Sequence, residues 1–243
     1  ARHEDGIGWA LMREPHWSGA DNFFQVHNWW HRALCHLEIG QIEPVFNLYD
    51  GPIRAARSAV AVDMVDASAL LWRLHLGGHD VGARWDELAG AWDAHADGHS
   101  YAFNDWHAAM AWLGAGRLAD VQRLQARLRS AEQGSEAARW AADTGADLVA
   151  GFAAFWQGRY DEAIETLWRA RAIANRFGGS HAQRDLIDWT LTEAALRGKR
   201  QTVAEALARE RLAQRPHSGM NRQFLRRALA PAVRCTPTVA AEA

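Results

Sequence analysis

Two histidines, His27 and His31, stand four residues apart in the sequence HNWWH, which would place both on one face of a helix. Imidazole nitrogens at this spacing can chelate a metal ion. The segment lacks the glutamate of the HExxH metalloprotease motif, and Asp66 and His107 could complete a ligand set only if the surrounding helices curve tightly. In the alternative, both histidines hydrogen-bond to neighbouring helices. We favour this alternative and assign neither a metal nor a cofactor.

A second group consists of carboxylates and an arginine. Asp63 and Asp66 are three residues apart and could act as a paired acid and base; alternatively one caps a helix and the other accepts a salt bridge, from Arg184 or Arg73. Arg184, beside Asp185, could grip a carboxylate or phosphate with two parallel hydrogen bonds. The alternative is an ion pair between helices. No catalytic residue is assigned.

Motifs for covalent catalysis or nucleotide binding are absent from the sequence. It contains neither GxSxG nor GxxxxGK[ST]. Cys35 lies among apolar residues, which predicts a buried and inert thiol, and His36 is expected to be a hydrogen-bonded core residue. The GGSH segment at 178–181 could bind an anion through its backbone amides; the alternative is a loop that ends in a serine cap.

Glycines recur along the chain with a nearly constant spacing. Gly40, Gly78, Gly116, Gly158 and Gly198 are separated by 38, 38, 42 and 40 residues, and each lies between two helix-like segments. A period near 40 is typical of helical-repeat proteins. The unit around Gly158 places Gly151 and Ala163 where two helices cross closely. The sequence therefore predicts an all-α fold, an α-α superhelix (solenoid) of tetratricopeptide-like helical hairpins.

The spacing divides the chain into one helical-repeat domain over residues 1–230. A half repeat at 1–17 precedes five repeats at about 22–57, 60–98, 101–132, 136–176 and 181–214, and a capping helix follows at about 218–230. Residues 231–243 are predicted to be a disordered tail. A half repeat leaves an apolar face uncovered. We therefore expect an upstream segment or a second copy of the chain to cover it.

Aligned on their glycines, the units carry polar residues at the start of their first helices. We expect these to form a rim beside an aromatic floor, which is typical of a ligand site. Some of them, Asp63, Asn104 and Asp185, could be only helix caps. Phe103 and Phe152 are also expected in the floor. The candidate ligand-binding residues are His27, Asn28, Trp30, His31, Asp63, Asp66, Trp72, Asn104, Trp106, His107, Gln183, Arg184 and Asp185.

Composition limits the function classes. The chain has 243 residues, a net charge of −2, two cysteines and thirteen tryptophans. This balance argues against a nucleic-acid partner, a disulfide scaffold and a membrane span. The chain opens without a charged-then-apolar signal segment, so we expect a cytoplasmic protein that binds no membrane.

Several segments carry a family resemblance. NFFQVHNWWHRALCHLEIG, AVDMVDASALLWRLHL, DVGARW, FNDWHAAMA and SHAQRD resemble the tetratricopeptide repeat protein 38 family over about residues 1–230. Members of that family are about twice as long, so the resemblance implies that this chain corresponds to a C-terminal half. It also implies a helical-repeat fold, but no established reaction, cofactor or substrate.

Two functions follow from these patterns. In the first, the concave groove binds a peptide or protein partner, with tryptophans as anchors and the His/Asp/Arg rim fixing its orientation. In the alternative, the rim residues form an enzyme site or bind a small molecule or metal. The alternative requires His27, His31, Asp66 and His107 to converge, whereas an open groove would keep them apart. A homodimer formed through the uncovered N-terminal face is a third, mainly structural, role.

Overall fold

A computed structural model describes residues 2–130 and 135–230, and the regular structure over these residues is helical. The predicted tail at 231–243 lies outside the described residues. The helices are α1 (His3–Trp17), α2 (Gln25–Glu38), α3 (Ile42–Leu48), α4 (Ala61–Leu76), α5 (Arg84–Trp92), α6 (Ala102–Gly114), α7 (Leu118–Arg129), α8 (Glu136–Trp140), α9 (Ala146–Trp156), α10 (Tyr160–Arg171), α11 (His181–Arg197), α12 (Gln201–Gln214) and α13 (Gly219–Leu229). Short π-helical segments at 49–53 and 141–145 extend α3 and join α8 to α9.

Successive helices pair as hairpins through tight turns. Four of the glycines singled out above have positive φ angles, as at Gly158 with φ +74°. In the fifth turn Gly198 has an ordinary φ of −75° and the left-handed residue is Lys199, with φ +57°. The fifth turn is thus displaced by one residue from the glycine spacing. Within the fourth hairpin, a Cβ on Gly151 would lie 2.5 Å from Leu167, so a small residue is required there.

The first helices of the hairpins form the interior of the molecule. In α4, 13 of 16 residues are buried, and in α6, 11 of 13. Helix α4 packs against α2, α5 and α6, and also against α11, which is far away in the sequence. Because these helices contact one another, the aromatic residues expected in a groove floor are fully buried. Trp72, for example, packs on Phe152 at 4.9 Å and donates its Nε1–H to Thr190 Oγ1 at 3.0 Å.

Polar contacts join the two ends of the helical array. Glu38, at the end of α2, accepts hydrogen bonds from the Ser218 hydroxyl and from the Met220 amide, which begin α13. On the other side, Arg197 of α11 donates to the carbonyl of Leu76 at the end of α4, at 2.9 Å. These contacts hold α11 close to α4 and α13 close to α2.

The N-terminal helix α1 packs mainly on α2. None of its residues is buried, and Trp9, Leu11 and Met12 are 60%, 46% and 65% exposed. The apolar surface expected on this half repeat is therefore present on α1. None of the described helices combines the length and the apolar character needed to cross a membrane.

Candidate functional site

A chain of hydrogen bonds connects α2 with α4. His27 donates its Nδ1–H to Asp66 Oδ2 at 2.8 Å, and His27 Nε2 lies 3.1 Å from Nε2 of His31, one turn further along α2. Asp66 is completely buried, His27 is partly buried and His31 is exposed. The three groups thus form a path from a buried carboxylate to the surface.

The surroundings shift the pKa values of these groups in different directions. The hydrogen bond that His27 donates to Asp66 raises the pKa of His27. His31 lies at the surface, but its ring packs against His27 and Trp30; this partial burial of the ring, the neighbouring His27 and the positive charge of Arg73 lower the pKa of His31 to about 4, so it is neutral at pH 7. Burial raises the pKa of Asp66, against the opposing effects of His27 and the nearby Gln183.

Arg73 lies one residue after Trp72 in α4 and is 2% exposed. Its guanidinium donates to the carbonyls of Ala69 at 3.0 Å and Ala182 at 2.6 Å, and it also lies over the ring of Trp30. Among the described residues no carboxylate is within 4.0 Å of it. Burial lowers the pKa of Arg73 to about 10, which still leaves it charged at neutral pH.

A cavity of about 170 Å³ lies next to Arg73. We call it the central pocket. Asp185 in its wall accepts hydrogen bonds from Arg211 at 3.0 and 3.3 Å and lies 3.5 Å from Arg215. Burial acts to raise the pKa of Asp185, but the nearby arginines outweigh it and the pKa is lowered. The pocket is lined by His3, His31, Leu34, Cys35, Leu37, Glu38, Arg73, Ala182, Asp185, Trp189, Arg211, Arg215 and Met220.

The structure separates His107 from the other candidate ligands. His107 is fully buried and donates its Nδ1–H to the carbonyl of Phe103 at 2.8 Å, while its Nε2 has no partner. Burial lowers its pKa to about 3, so it is neutral. Of the four residues that the alternative function needed together, His27, His31 and Asp66 converge and His107 does not contact them. No group of three or more histidine, cysteine or acidic side chains suited to a metal ion occurs within residues 2–130 and 135–230.

The tryptophans of the candidate set lie in the core. Trp30, Trp72 and Trp106 are each fully buried. Trp30 stacks on His27 with ring centres 5.2 Å apart, so it restricts the orientation of the His27 ring. Trp106 packs against Phe152 and has no partner for its Nε1–H. Their rings therefore fix the positions of other residues and offer no surface to a partner in this conformation.

Helix capping does not explain the acidic residues at the helix starts. The N-cap residues of α4 and α6 are Val60 and Tyr101, and neither helix has a side-chain cap, so Asp63 and Asn104 are not caps. Asp185 lies within α11 and pairs with Arg211. The alternative of capping was wrong for all three, because each side chain lies inside the first turns of its helix.

The GGSH segment at 178–181 is a loop that ends in a serine cap, which was the alternative to anion binding. Ser180 caps α11, and Gln183 completes the capping box by accepting from the Ser180 amide at 2.8 Å. Arg184 donates to the carbonyls of Gly178 and Gly179, so it forms neither the bidentate grip nor an ion pair between helices. Asn28 lies elsewhere, in an apolar cleft of about 350 Å³ between α1 and α2.

Two other sequence expectations have mixed outcomes. Cys35 was expected to be buried, but it is half-buried and lines both the central pocket and the cleft against α1. Burial and the charge of Glu38 raise its pKa, so the thiol stays protonated. His36 is a buried residue whose Nδ1–H donates to Gln41 Oε1 at 2.7 Å, as expected of a core histidine, although its Nε2 has no partner.

Three arginines of the pocket were missed as site residues by the sequence reasoning. Arg73 carried a usable signal, since it is the only charged residue in the mainly apolar stretch from Ala67 to Leu74 of α4. Arg211 and Arg215 carried none, because arginines are frequent throughout the C-terminal half. No family model matches the chain, and no solved structure matches it. The function must therefore be argued from the geometry of the site.

Proposed function

We propose that the protein binds a small organic anion in the central pocket, with Arg73 as the anchor. The observation that carries this proposal is a buried, charged guanidinium that borders a cavity and forms no ion pair with a carboxylate of residues 2–130 or 135–230. Burying a charge without a counter-charge is costly. Asp185 and Asp66 act on Arg73 from beyond ion-pair distance, and an anion in the pocket would supply a direct partner.

The charge balance around the pocket supports an anion over a neutral ligand. Arg73, Arg211 and Arg215 face it, against two carboxylates, of which Asp185 is already paired with Arg211 and Arg215. The other carboxylate, Glu38, already accepts from Ser218 and Met220. A planar guanidinium binds carboxylates with two parallel hydrogen bonds, which favours a carboxylate ligand.

The size of the pocket restricts the ligand. A volume of about 170 Å³ is small beside the roughly 300 to 1,000 Å³ of typical ligand pockets, which favours a short carboxylic acid. Arg73 and Met220 also border a second cavity of about 510 Å³ between α4, α11 and α13, which could receive the remainder of a longer acid.

Calorimetric titration with acetate, lactate, pyruvate and succinate tests the proposal. We expect at least one of these acids to bind with one site per chain, and Arg215→Gln to weaken binding at least tenfold. Arg215 is half exposed, so this variant keeps the fold. Arg209→Gln removes an exposed arginine that pairs only with Glu205 and serves as the matched control. Failure of all four acids to bind, or equal losses in both variants, would overturn the proposal.

A protein partner is a second candidate function, and the exposed apolar residues of α1 favour it. With Trp30, Trp72 and Trp106 buried, a peptide has no tryptophan anchors in the interior. Trp9 and Met12 instead expose apolar surface on α1, which supports the expected second copy or upstream segment as the partner. Light scattering of the wild type and Trp9→Glu tests for a dimer, and a monomer at all concentrations would exclude the second copy.

For the fold, we infer that the hairpins are tetratricopeptide-like and wind into a superhelix, as the family resemblance implies. The recurrence of a left-handed residue at the turns and the close crossing at Gly151 support this inference. Membership of the tetratricopeptide repeat protein 38 family and a cytoplasmic location remain predictions of the sequence.

A further inference from the structure

The imidazole rings of His27 and His31 face each other through their Nε2 atoms. Their Nε2 atoms are 3.1 Å apart, and the ring planes are nearly perpendicular. Zinc binds imidazole nitrogen at about 2.0 to 2.1 Å. With bonds of that length, nitrogens separated by this distance subtend an angle of roughly 100° at the metal, between the octahedral and the tetrahedral value.

The hydrogen bond from His27 to Asp66 gives the pair an orientation suited to a metal ligand. Histidines that bind metals usually donate their other ring N–H to a carboxylate, which fixes the tautomer and leaves Nε2 unprotonated. His27 donates Nδ1–H to the buried Asp66 at 2.8 Å, and its ring is stacked on Trp30. Its Nε2 is therefore held in place.

We propose that His27 and His31 chelate one divalent transition-metal ion through their Nε2 atoms, with Asp66 positioning His27. The exposed position of His31 opens the site to solvent. No third protein ligand is present among the described residues, so the remaining positions are filled by water or by an anion. Imidazole ligands suit Zn²⁺, Ni²⁺ and Cu²⁺, and Cu²⁺ binds most tightly. The histidine geometry carries this proposal without the proposed anion, although His31 also lines the central pocket.

The positive charge of Arg73 acts against a cation at this position, since it already lowers the pKa of His31. It therefore favours a metal whose open positions carry anionic oxygen ligands. Zinc binding is expected to tighten when acetate is added.

Calorimetric titration of the metal-free full chain with ZnCl₂ and NiCl₂ tests the proposal. We expect one ion per chain, a loss of at least tenfold in affinity in His31→Gln and a loss of about 10- to 100-fold in Asp66→Asn. His16→Gln, which removes an exposed histidine on α1, is the matched control and should bind as the wild type does. Thermal unfolding with and without zinc gives a second readout, because a ligand of the native state raises its stability.

The outcomes distinguish metal binding from a shared proton. Equal binding by the wild type and His31→Gln, or no stoichiometric binding by the wild type, would overturn the proposal and leave one proton between the two nitrogens. Since His31 is exposed, His31→Gln keeps the fold even if the buried Asp66→Asn variant does not. If zinc does not bind but acetate does, the metal proposal fails and the anion proposal stands. If acetate does not bind but zinc does, the anion proposal fails and the metal proposal stands.

Discussion

Asp105 is a buried carboxyl group whose protonation should make the stability of the protein depend on pH. It is 1% exposed, accepts one hydrogen bond from the Gly98 amide at 3.1 Å, and its Oδ2 has no partner. Burial raises its pKa to about 7, and the charge of Asp97 adds to this effect. Asp105→Asn keeps an acceptor for Gly98 but removes the ionisation.

The sign and size of the effect follow from proton linkage. The folded state holds the proton of Asp105 up to about pH 7, whereas the unfolded chain releases it near 3.8. Between pH 3.8 and pH 7 unfolding releases a proton from Asp105. The free energy of unfolding therefore falls as the pH rises through this range. One proton contributes a slope of about 1.4 kcal/mol per pH unit. Between pH 5 and pH 7 the wild type should lose about 2 kcal/mol relative to Asp105→Asn.

Urea denaturation followed by tryptophan fluorescence at pH 5, 6 and 7 measures this difference. Both proteins share every other titratable group, so subtracting their free energies of unfolding isolates Asp105. A difference that stays constant within 0.5 kcal/mol over this range, about the scatter expected of a neutral surface change, would refute the reasoning. It would mean that Asp105 is ionised in the folded state or that water reaches its Oδ2.

Three further substitutions test the packing and the turns. Gly151→Ala places a methyl group 2.5 Å from Leu167 and should lower the free energy of unfolding by about 1 to 3 kcal/mol in urea; an unchanged value would mean that the two helices separate freely. Lys199→Gly relieves a left-handed residue with φ +57° and should raise the melting temperature, since it gains about 1 kcal/mol; a lower one would contradict the assigned turn. Thr190→Val leaves the buried Trp72 Nε1–H without its acceptor and should cost about 1 to 3 kcal/mol by calorimetry, whereas a stabilised variant would show that this hydrogen bond is dispensable.

The sequence was sufficient to predict the helical hairpins, because their signals are local. Turn glycines such as Gly158 need a positive φ, and Gly151 lies where helices cross. The fifth turn escaped this rule because Lys199 takes the left-handed conformation in place of Gly198. A left-handed lysine cannot be recognised from the spacing of glycines.

The site could be predicted only in part. His27 and His31 share a helix face, and alignment of the units brought Asp66 beside them, as the structure has it. The burial of Trp72 could not be predicted, because it depends on Thr190, 118 residues away in the sequence. The pairing of Asp185 with Arg211 was missed for the same reason, since it depends on how α11 and α12 cross.

The packing of α4 against α11 fixes the number of hairpins that the chain can contain. In an open array each unit contacts only its neighbours, so units can be gained or lost during evolution without disturbing the rest. Here Arg73 donates to the carbonyl of Ala182, and Trp72 to Thr190, across two intervening hairpins. Deleting or inserting a hairpin between them would break these bonds. Related chains should therefore differ in the lengths of their loops and keep the same number of hairpins between α4 and α11.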